Sequence, residues 1–350
     1  MKKLSVILVL IMSIIAVSGC GKKVSEPVTL GDDNAALKVG MAATGADIND
    51  NSFNQGAWEG LKNAHDSVGA RVSYIESETD KTYYKSLQRL VDSGNDLCWG
   101  IGYEFSDVIL KAAEKYPNTN FAILDHVYED VPQNVTCAGF RAEESAFLVG
   151  YIAASVTGTG KIGLIGGSNA SPLNAFRYGY LAGAKTASEE LGKDISVDSR
   201  FIDTFENRDE GYSAAEEMYS SGCDVIFQAA GGAGVGVINA AKDMNKYVIG
   251  VDCDQTGLAP DNVLTCALKK VDEAVSNISV QYSIGEDIGG KVLEYGLAEH
   301  AVGIPENHPN ISDELYNKAM ELQDQIIYGE ITVPTNEEEV QAFKAGGSEE

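Results

Sequence analysis

Short apolar runs alternate with amphipathic stretches along most of the chain, and this alternation limits the fold more than any other feature. Strand-like runs fall at 38–43, 71–76, 96–101, 120–124 and 135–140, then at 161–166, 196–202, 224–229, 247–251 and 263–268. Helical periodicity marks 54–68, 83–93, 106–115, 144–156, 176–191, 212–220 and 236–244. In the first of these helices Trp58, Leu61 and Ala64 share one face. Strands separated by helices must pair in parallel, with helices on both faces of the sheet. A chain of 350 residues also exceeds one small core, so two lobes are expected.

Two segments look alike. The first runs from Asp96-Leu-Cys-Trp-Gly-Ile through Ala112-Ala113 to Phe121-Ala-Ile-Leu-Asp125. The second runs from Asp224-Val-Ile-Phe-Gln-Ala through Ala240-Ala241 to Val248-Ile-Gly-Val-Asp252. The alanine pairs are 128 residues apart and the closing acids 127. Any two βαβ units share some likeness. Read as a repeat, the pair predicts two lobes of one topology, with Asp125 and Asp252 at strand carboxyl ends facing one cleft, where ligands bind in such sheets.

Charge narrows the partners. The chain has 52 Asp and Glu against 26 Lys and Arg, a net charge of −26, with no basic run set apart. That argues against nucleic acid. The histidines at 65, 126, 300 and 308 are too scattered for a histidine-rich metal site. GxSxG and HExxH are missing from the sequence, and Gly158-Thr-Gly-Lys161 precedes a strand instead of following one, so it is not a phosphate loop. No cofactor or metal is called for. Gly232-Ala-Gly-Val-Gly236 does follow a strand and open a helix. It serves either as a tight turn alone or as a close-approach turn whose helix N-terminus donates N–H groups to a polar ligand.

The beginning of the chain sets its compartment. Lys2 and Lys3 precede an apolar run from Leu4 to about Val17, then Val17-Ser-Gly-Cys20. This is the layout of a secretory signal, too short for a comfortable membrane span. It resembles the lipobox of bacterial lipoproteins, in which Cys20 would be diacylated and become the first residue. Removal of 1–19 deletes two lysines and no acids, taking the charge from −26 to −28. Residues 20–37 read as a flexible tether, and 341–350 as a flexible tail. Of the other cysteines (98, 137, 223, 253 and 266), four sit in apolar strand-like contexts and read as buried thiols.

Candidate ligand contacts lie just past strand ends. Phe53 follows the polar stretch 44–52, and Phe205 follows the strand at 196–202. One from each lobe could sandwich a flat ring, or each could pack locally. Asp125 and Asp252 could accept hydrogen bonds from a vicinal diol, or cap helices. Lys269 could offset their charge. Acids at both strand ends would repel a phosphate, which favours a neutral polyhydroxy ligand.

Several stretches together resemble the basic membrane protein (BMP) family of ABC-transporter substrate-binding lipoproteins, of the purine nucleoside receptor A type. They are Asp50-Asn-Ser-Phe53-Asn54-Gln-Gly-Ala-Trp58-Glu-Gly60, Lys115-Tyr-Pro-Asn with Phe121-Ala-Ile-Leu-Asp125, and Glu144-Ser-Ala-Phe-Leu-Val-Gly150-Tyr-Ile-Ala-Ala154. Gly163-Leu-Ile-Gly-Gly167, Ile249-Gly-Val-Asp252-Cys-Asp254-Gln255 and Leu268-Lys269-Lys270-Val-Asp272 complete the set. The resemblance implies a type I periplasmic-binding-protein fold, with two Rossmann-like lobes on a three-strand hinge. The lobes would be 38–140 with about 268–297, and 141–267 with about 298–340. It implies that Phe53 and Phe205 stack on a base, that Asn54 contacts it, and that Asp125 binds from the first lobe. Gly232, Asp252 and Lys269 would hold a sugar. Many members carry an Asp about nine residues before the Phe; here that position is Thr44, and Asp47 is the nearby substitute. The function implied is capture of a nucleoside, purine favoured, by a monomeric, lipid-anchored extracytoplasmic protein. It would deliver the nucleoside to ABC permease and ATPase subunits without bond chemistry. The alternatives are a receptor for a sugar or signalling molecule, and an anchored nucleoside hydrolase.

Overall fold

The computed structural model describes residues 24–45 and 47–344. The signal segment, Cys20 and residues 345–350 lie outside them. The chain opens with strands β1 (Val28–Leu30) and β2 (Lys38–Thr44), helix α1 (Phe53–Val68), β3 (Arg71–Ser77), α2 (Asp80–Asp92) and β4 (Leu97–Ile101). Helix α3 (Ser106–Lys115), β5 (Asn120–Leu124) and β6 (Val135–Phe140) complete the first series. A second follows: α4 (Ala142–Val156), β7 (Lys161–Gly166), α5 (Ser171–Leu191), β8 (Ser196–Phe201), α6 (Arg208–Ser220), β9 (Val225–Ala229), α7 (Gly231–Asp243), β10 (Tyr247–Asp252) and β11 (Val263–Lys269). The chain then continues through α8 (Val271–Ser283), β12 (Lys291–Tyr295), β13 (Val302–Gly303), α9 (Asp313–Ile327) and α10 (Glu337–Ala342).

These strands form two sheets, ordered β1-β3-β2-β4-β5-β6-β12 and β13-β11-β10-β9-β7-β8. Every pairing is parallel except β1 with β3 and β11 with β13. The central strands are buried throughout, as expected of parallel strands covered on both faces (Leu97–Ile101 and Val225–Ala229, for example). Lobe one holds the first sheet and lobe two the second, and together they form a type I periplasmic-binding-protein fold. The chain passes between the sheets after β6, between β11 and α8, and between β12 and β13. Arg141 binds two of these crossings together. Its N–H donates to the Tyr295 carbonyl (2.9 Å), and its guanidinium meets Glu144 (2.8 Å), Glu299 and Glu294 (3.7 Å).

The internal repeat is visible in its hydrogen bonds. Asn134 Nδ2 donates to the carbonyls of Ala113, Tyr116 and Thr119, while Asn262 Nδ2, 128 positions later, donates to those of Ala241 and Lys246. Phe121 N–H donates to Asn134 O (2.8 Å), and Val248 N–H to Asn262 O (2.9 Å). In both lobes an asparagine closes the loop that precedes a central strand.

Two expectations are corrected. The stretch read as a tether through Leu37 is docked from Val24 onward. Arg89 Nη1 donates to the carbonyls of Val24 and Ser25 (3.1 Å each) and pairs with Glu26 (2.6 Å), and β1 adds antiparallel to β3. Three residues of edge strand leave almost no periodic signal. The stretch read as a tail from 341 is docked through Phe343, because Lys185 Nζ donates to the Phe343 carbonyl (2.5 Å) and the Phe343 ring lies 6.1 Å from that of Phe147. Cys98, Cys137, Cys223 and Cys266 are buried free thiols, and Cys253 is exposed.

Candidate functional site

A cavity of about 570 Å³ lies between the lobes. Its walls come from the carboxyl ends of β2, β3, β4, β5, β8, β9, β10 and β11 and the segments just past them, together with the N-terminal turns of α1, α5, α6 and α7. Asp47, Phe53, Asn54, Asp125, Phe205, Gly232, Asp252 and Lys269 all line it.

Lobe one contributes the start of α1. Asp50 carboxylate oxygens accept the N–H groups of Ser52 (2.8 Å), Asn54 (2.9 Å) and Gln55 (3.1 Å), satisfying donors that a helix start leaves unpaired. Burial outweighs those donors and holds the Asp50 carboxyl above its ordinary range. The next turn places Phe53 at the cavity. Asn54 Nδ2 donates to the Thr44 carbonyl (3.0 Å), which orients the amide and leaves its buried Oδ1 without a partner. Thr44 therefore contributes its backbone here, where a carboxylate was the expected family feature. Asp47 sits at the rim, with its side chain 59% exposed and Oδ2 3.9 Å from Arg208 of lobe two.

The two acids of the repeat occupy matching positions. Both adopt left-handed backbone conformations, φ 59° at Asp125 and 66° at Asp252. Non-glycine residues seldom adopt this region, and Asp is among those that do so most readily. Lys269 Nζ reaches Asp125 Oδ2 at 2.5 Å, with only 4% of the lysine side chain exposed. The same ammonium lies 4.6, 5.1 and 5.8 Å from the ring centres of Phe53, Phe140 and Phe176. Asp252 accepts a hydrogen bond from Ser52 Oγ of the other lobe. Burial, only partly offset by Lys269 and Ser52, raises its carboxyl to about 6. Glu104, past the end of β4, is pushed to about 7, chiefly by burial, with Asp125 adding to the shift.

Lobe two supplies Phe205, whose ring lies so close to Gly167 that a β-carbon there would come within 2.2 Å of it. The Phe205 carbonyl accepts Ala233 N–H (3.0 Å), fixing the loop on the first turn of α7, where Gly232 stands. Other contacts join the lobes around the cavity. Gln255 Nε2 donates to Asn51 O (2.9 Å), and Tyr103 OH and Ser168 Oγ are 2.8 Å apart.

Asp50, Ser52, Tyr103, Glu104, Phe176 and Arg208 were not singled out from sequence. Asp50 and Ser52 stand inside a motif that was, so their nearness to Phe53 was a usable signal. Glu104, Phe176 and Arg208 had none. Among the described residues, no cluster of three or more His, Cys, Asp or Glu has metal-binding geometry. Nor is any helix among those described residues long and apolar enough to cross a membrane.

The family model for PnrA-like ABC transporter substrate-binding proteins matches residues 36–337. Basic membrane protein A of Borreliella burgdorferi is 40% identical over 342 residues, covering 96% of this chain and 97% of the relative. A CD4+ T-cell-stimulating antigen of Listeria innocua is 35% identical, covering 95% and 99%. The crystal structure of an ABC transporter solute-binding protein from Aeropyrum pernix superposes with a TM-score of 0.81 at 26% identity, covering 87% of this chain and 98% of that one.

Proposed function

Because the chain belongs to the PnrA-like family of ABC transporter substrate-binding proteins, we propose that its inter-lobe cavity captures a nucleoside, with a purine nucleoside favoured. In this reading the protein is a monomer held on the extracytoplasmic face of the membrane by lipid on Cys20. It hands its ligand to ABC permease and ATPase subunits. The lobes that close are 38–140 with about 268–297, and 141–267 with about 298–340.

One observation carries the ligand class. The cavity combines Phe53 of lobe one and Phe176 and Phe205 of lobe two with several carboxyl groups and a single buried cation that is already paired. Aromatic faces suit a flat base, with offset or edge contacts to Phe53 and Phe205. Asn54 Oδ1 supplies an acceptor for a base N–H. Asp125 and Asp252 accept from ribose hydroxyls, and Gly232 lets backbone come close. The same carboxylates oppose a phosphate, so the ligand is a nucleoside and not a nucleotide. Asp47, paired at the rim, closes over the ligand and need not read its base edge.

Isothermal titration with inosine, guanosine, adenosine and uridine tests this, with inosine monophosphate as the anionic control. Binding of nucleosides without the monophosphate is expected. A response to free ribose alone would replace the nucleoside with a sugar. The protein is a receptor without bond chemistry. Chromatographic detection of free hypoxanthine after prolonged incubation with inosine would instead make it a hydrolase.

A further inference from the structure

In a chain of net charge −26, helix charge is unevenly distributed. Helix α6 carries one basic residue against Asp209, Glu210, Glu216 and Glu217, and α9 one against Asp313, Glu314, Glu321 and Asp324. Helix α2 reverses this balance, with Lys81, Lys85 and Arg89 against Asp80 and Asp92, and α3 is neutral, with Lys111 and Lys115 against Asp107 and Glu114.

These cations form one surface. Lys111 and Lys115 of α3 reach the Tyr84 ring of α2, 4.5 and 5.7 Å from its centre, and Lys115 also lies 5.0 Å from the centre of Tyr116. Lys81, Lys85, Lys111, Lys115 and the apolar Leu110 are exposed. Lysines beside half-buried tyrosines and an exposed leucine match the polar boundary of a bilayer, where aromatic rings and long cationic side chains gather. The described chain starts at this same face. Val24 packs against the core beneath α2 and α3, and Arg89, one helical turn from Lys85, holds its carbonyl. Only Gly21, Lys22 and Lys23 separate Val24 from Cys20. Even fully extended, that connection spans roughly 14 Å.

We propose that the exposed α2–α3 face of lobe one is a membrane-contact surface that fits anionic lipid headgroups. The proposal extends the reading of Cys20 as a lipid anchor, since a short connection would keep this face against the bilayer. Lobe one is then held at the membrane, and lobe two is the part that swings as the cleft opens. Leu110 and the two tyrosines rest at headgroup depth, while the lysines pair with lipid phosphates.

Hydrogen–deuterium exchange on the acylated full chain tests this, in phosphatidylglycerol-containing vesicles and in detergent. Protection is expected in 24–30, 80–92 and 106–115, and lobe two should be unchanged. Protection on lobe two, or none anywhere, overturns the surface. The intact mass reports acylation of Cys20 separately, so failure of the anchor is distinguishable from failure of the face. A second arm sediments the unacylated mature chain with vesicles of phosphatidylglycerol or of phosphatidylcholine alone. Partition onto the anionic vesicles should fall about tenfold or more in Lys111→Glu/Lys115→Glu. The control pair Lys193→Glu/Lys242→Glu puts the same charge change on lobe two and should partition like the wild type. Equal loss in both pairs, or no preference for anionic vesicles, would show that the face does not recognise lipid.

Discussion

Lys269 and Asp125 join the ends of strands from different sheets, with Nζ 2.5 Å from Oδ2 and three phenylalanine rings around the ammonium. The pair closes one wall of the cleft. It also leaves the site without a free buried cation, which sets the kind of ligand the cleft accepts.

Lys269→Met should destabilise the protein by about 3–5 kcal/mol, because Asp125 is left buried without its partner. Urea unfolding measures this. A double variant that also carries Asp125→Asn should recover much of the loss, since it leaves no unpaired charge. A double variant no more stable than Lys269→Met would show that the lysine stabilises through its packing and not through its charge.

The cleft acids predict a pH dependence. Asp252 is raised to about 6 from an ordinary 3.8, and Glu104 to about 7 from 4.5. The folded state therefore binds protons more tightly than the unfolded chain at both sites. Their contribution is fully present below about pH 4 and is lost as pH rises through 6 and 7. Glu104→Gln cannot ionise, so the decline measured by urea titration between pH 5 and 8 should be shallower than in wild type. A slope equal to wild type would mean that Glu104 does not take part.

Asn134 and Asn262 do equivalent work in the two lobes, so removing either should leave loop carbonyls unpaired. Asn134→Ala and Asn262→Ala should each cost about 1–3 kcal/mol in urea unfolding. A near-zero cost at one site would show that water replaces the amide there.

The fold could be read because parallel strands are apolar throughout and their crossover helices are amphipathic, so the boundaries at Lys161–Gly166 and Ser106–Lys115 match the expectation. The repeat carried Asp125 and Asp252 to matching strand ends. Helix starts were read late where they face the cleft. Helix α5 begins at Ser171 instead of 176, α6 at Arg208 instead of 212, and α7 at Gly231 instead of 236. Those first turns are built from Ser-Pro, charged residues and glycines, which suit a cavity wall better than an apolar periodicity. Arg208 was hidden there, whereas Phe176 opens the part of α5 that its periodicity marks. The strands after 269 were also missed, since β12 and β13 are short and belong to different sheets.

Phe53 is predicted to bind by stacking. Phe53→Ala should weaken inosine binding about fivefold, corresponding to about 1 kcal/mol, while the far-ultraviolet circular dichroism is unchanged. Phe53→Leu keeps most of the apolar cover over Lys269 but removes the ring. If stacking matters, both variants lose affinity; if only burial matters, Phe53→Leu binds like wild type.

Ser52 bears on closure. Its hydroxyl donates to Asp252 across the cleft, and the neighbouring Asn51 carbonyl accepts from Gln255, so the turn leading into Phe53 is fastened to lobe two on both sides. Gln255 is held for this task, because its Oε1 already accepts from Gln228 Nε2 (2.7 Å) and Val251 N–H (3.1 Å). These inter-lobe bonds exist only when the lobes meet. Ser52→Ala should therefore leave association with inosine within about twofold of wild type and raise the dissociation rate roughly tenfold, as expected where a closed-state contact sets residence time. Stopped-flow quenching of the cleft's intrinsic fluorescence gives both rates, and small-angle scattering gives compaction with and without ligand. A variant that dissociates at the wild-type rate would show that Asp252 holds its ligand without help from the opposite lobe.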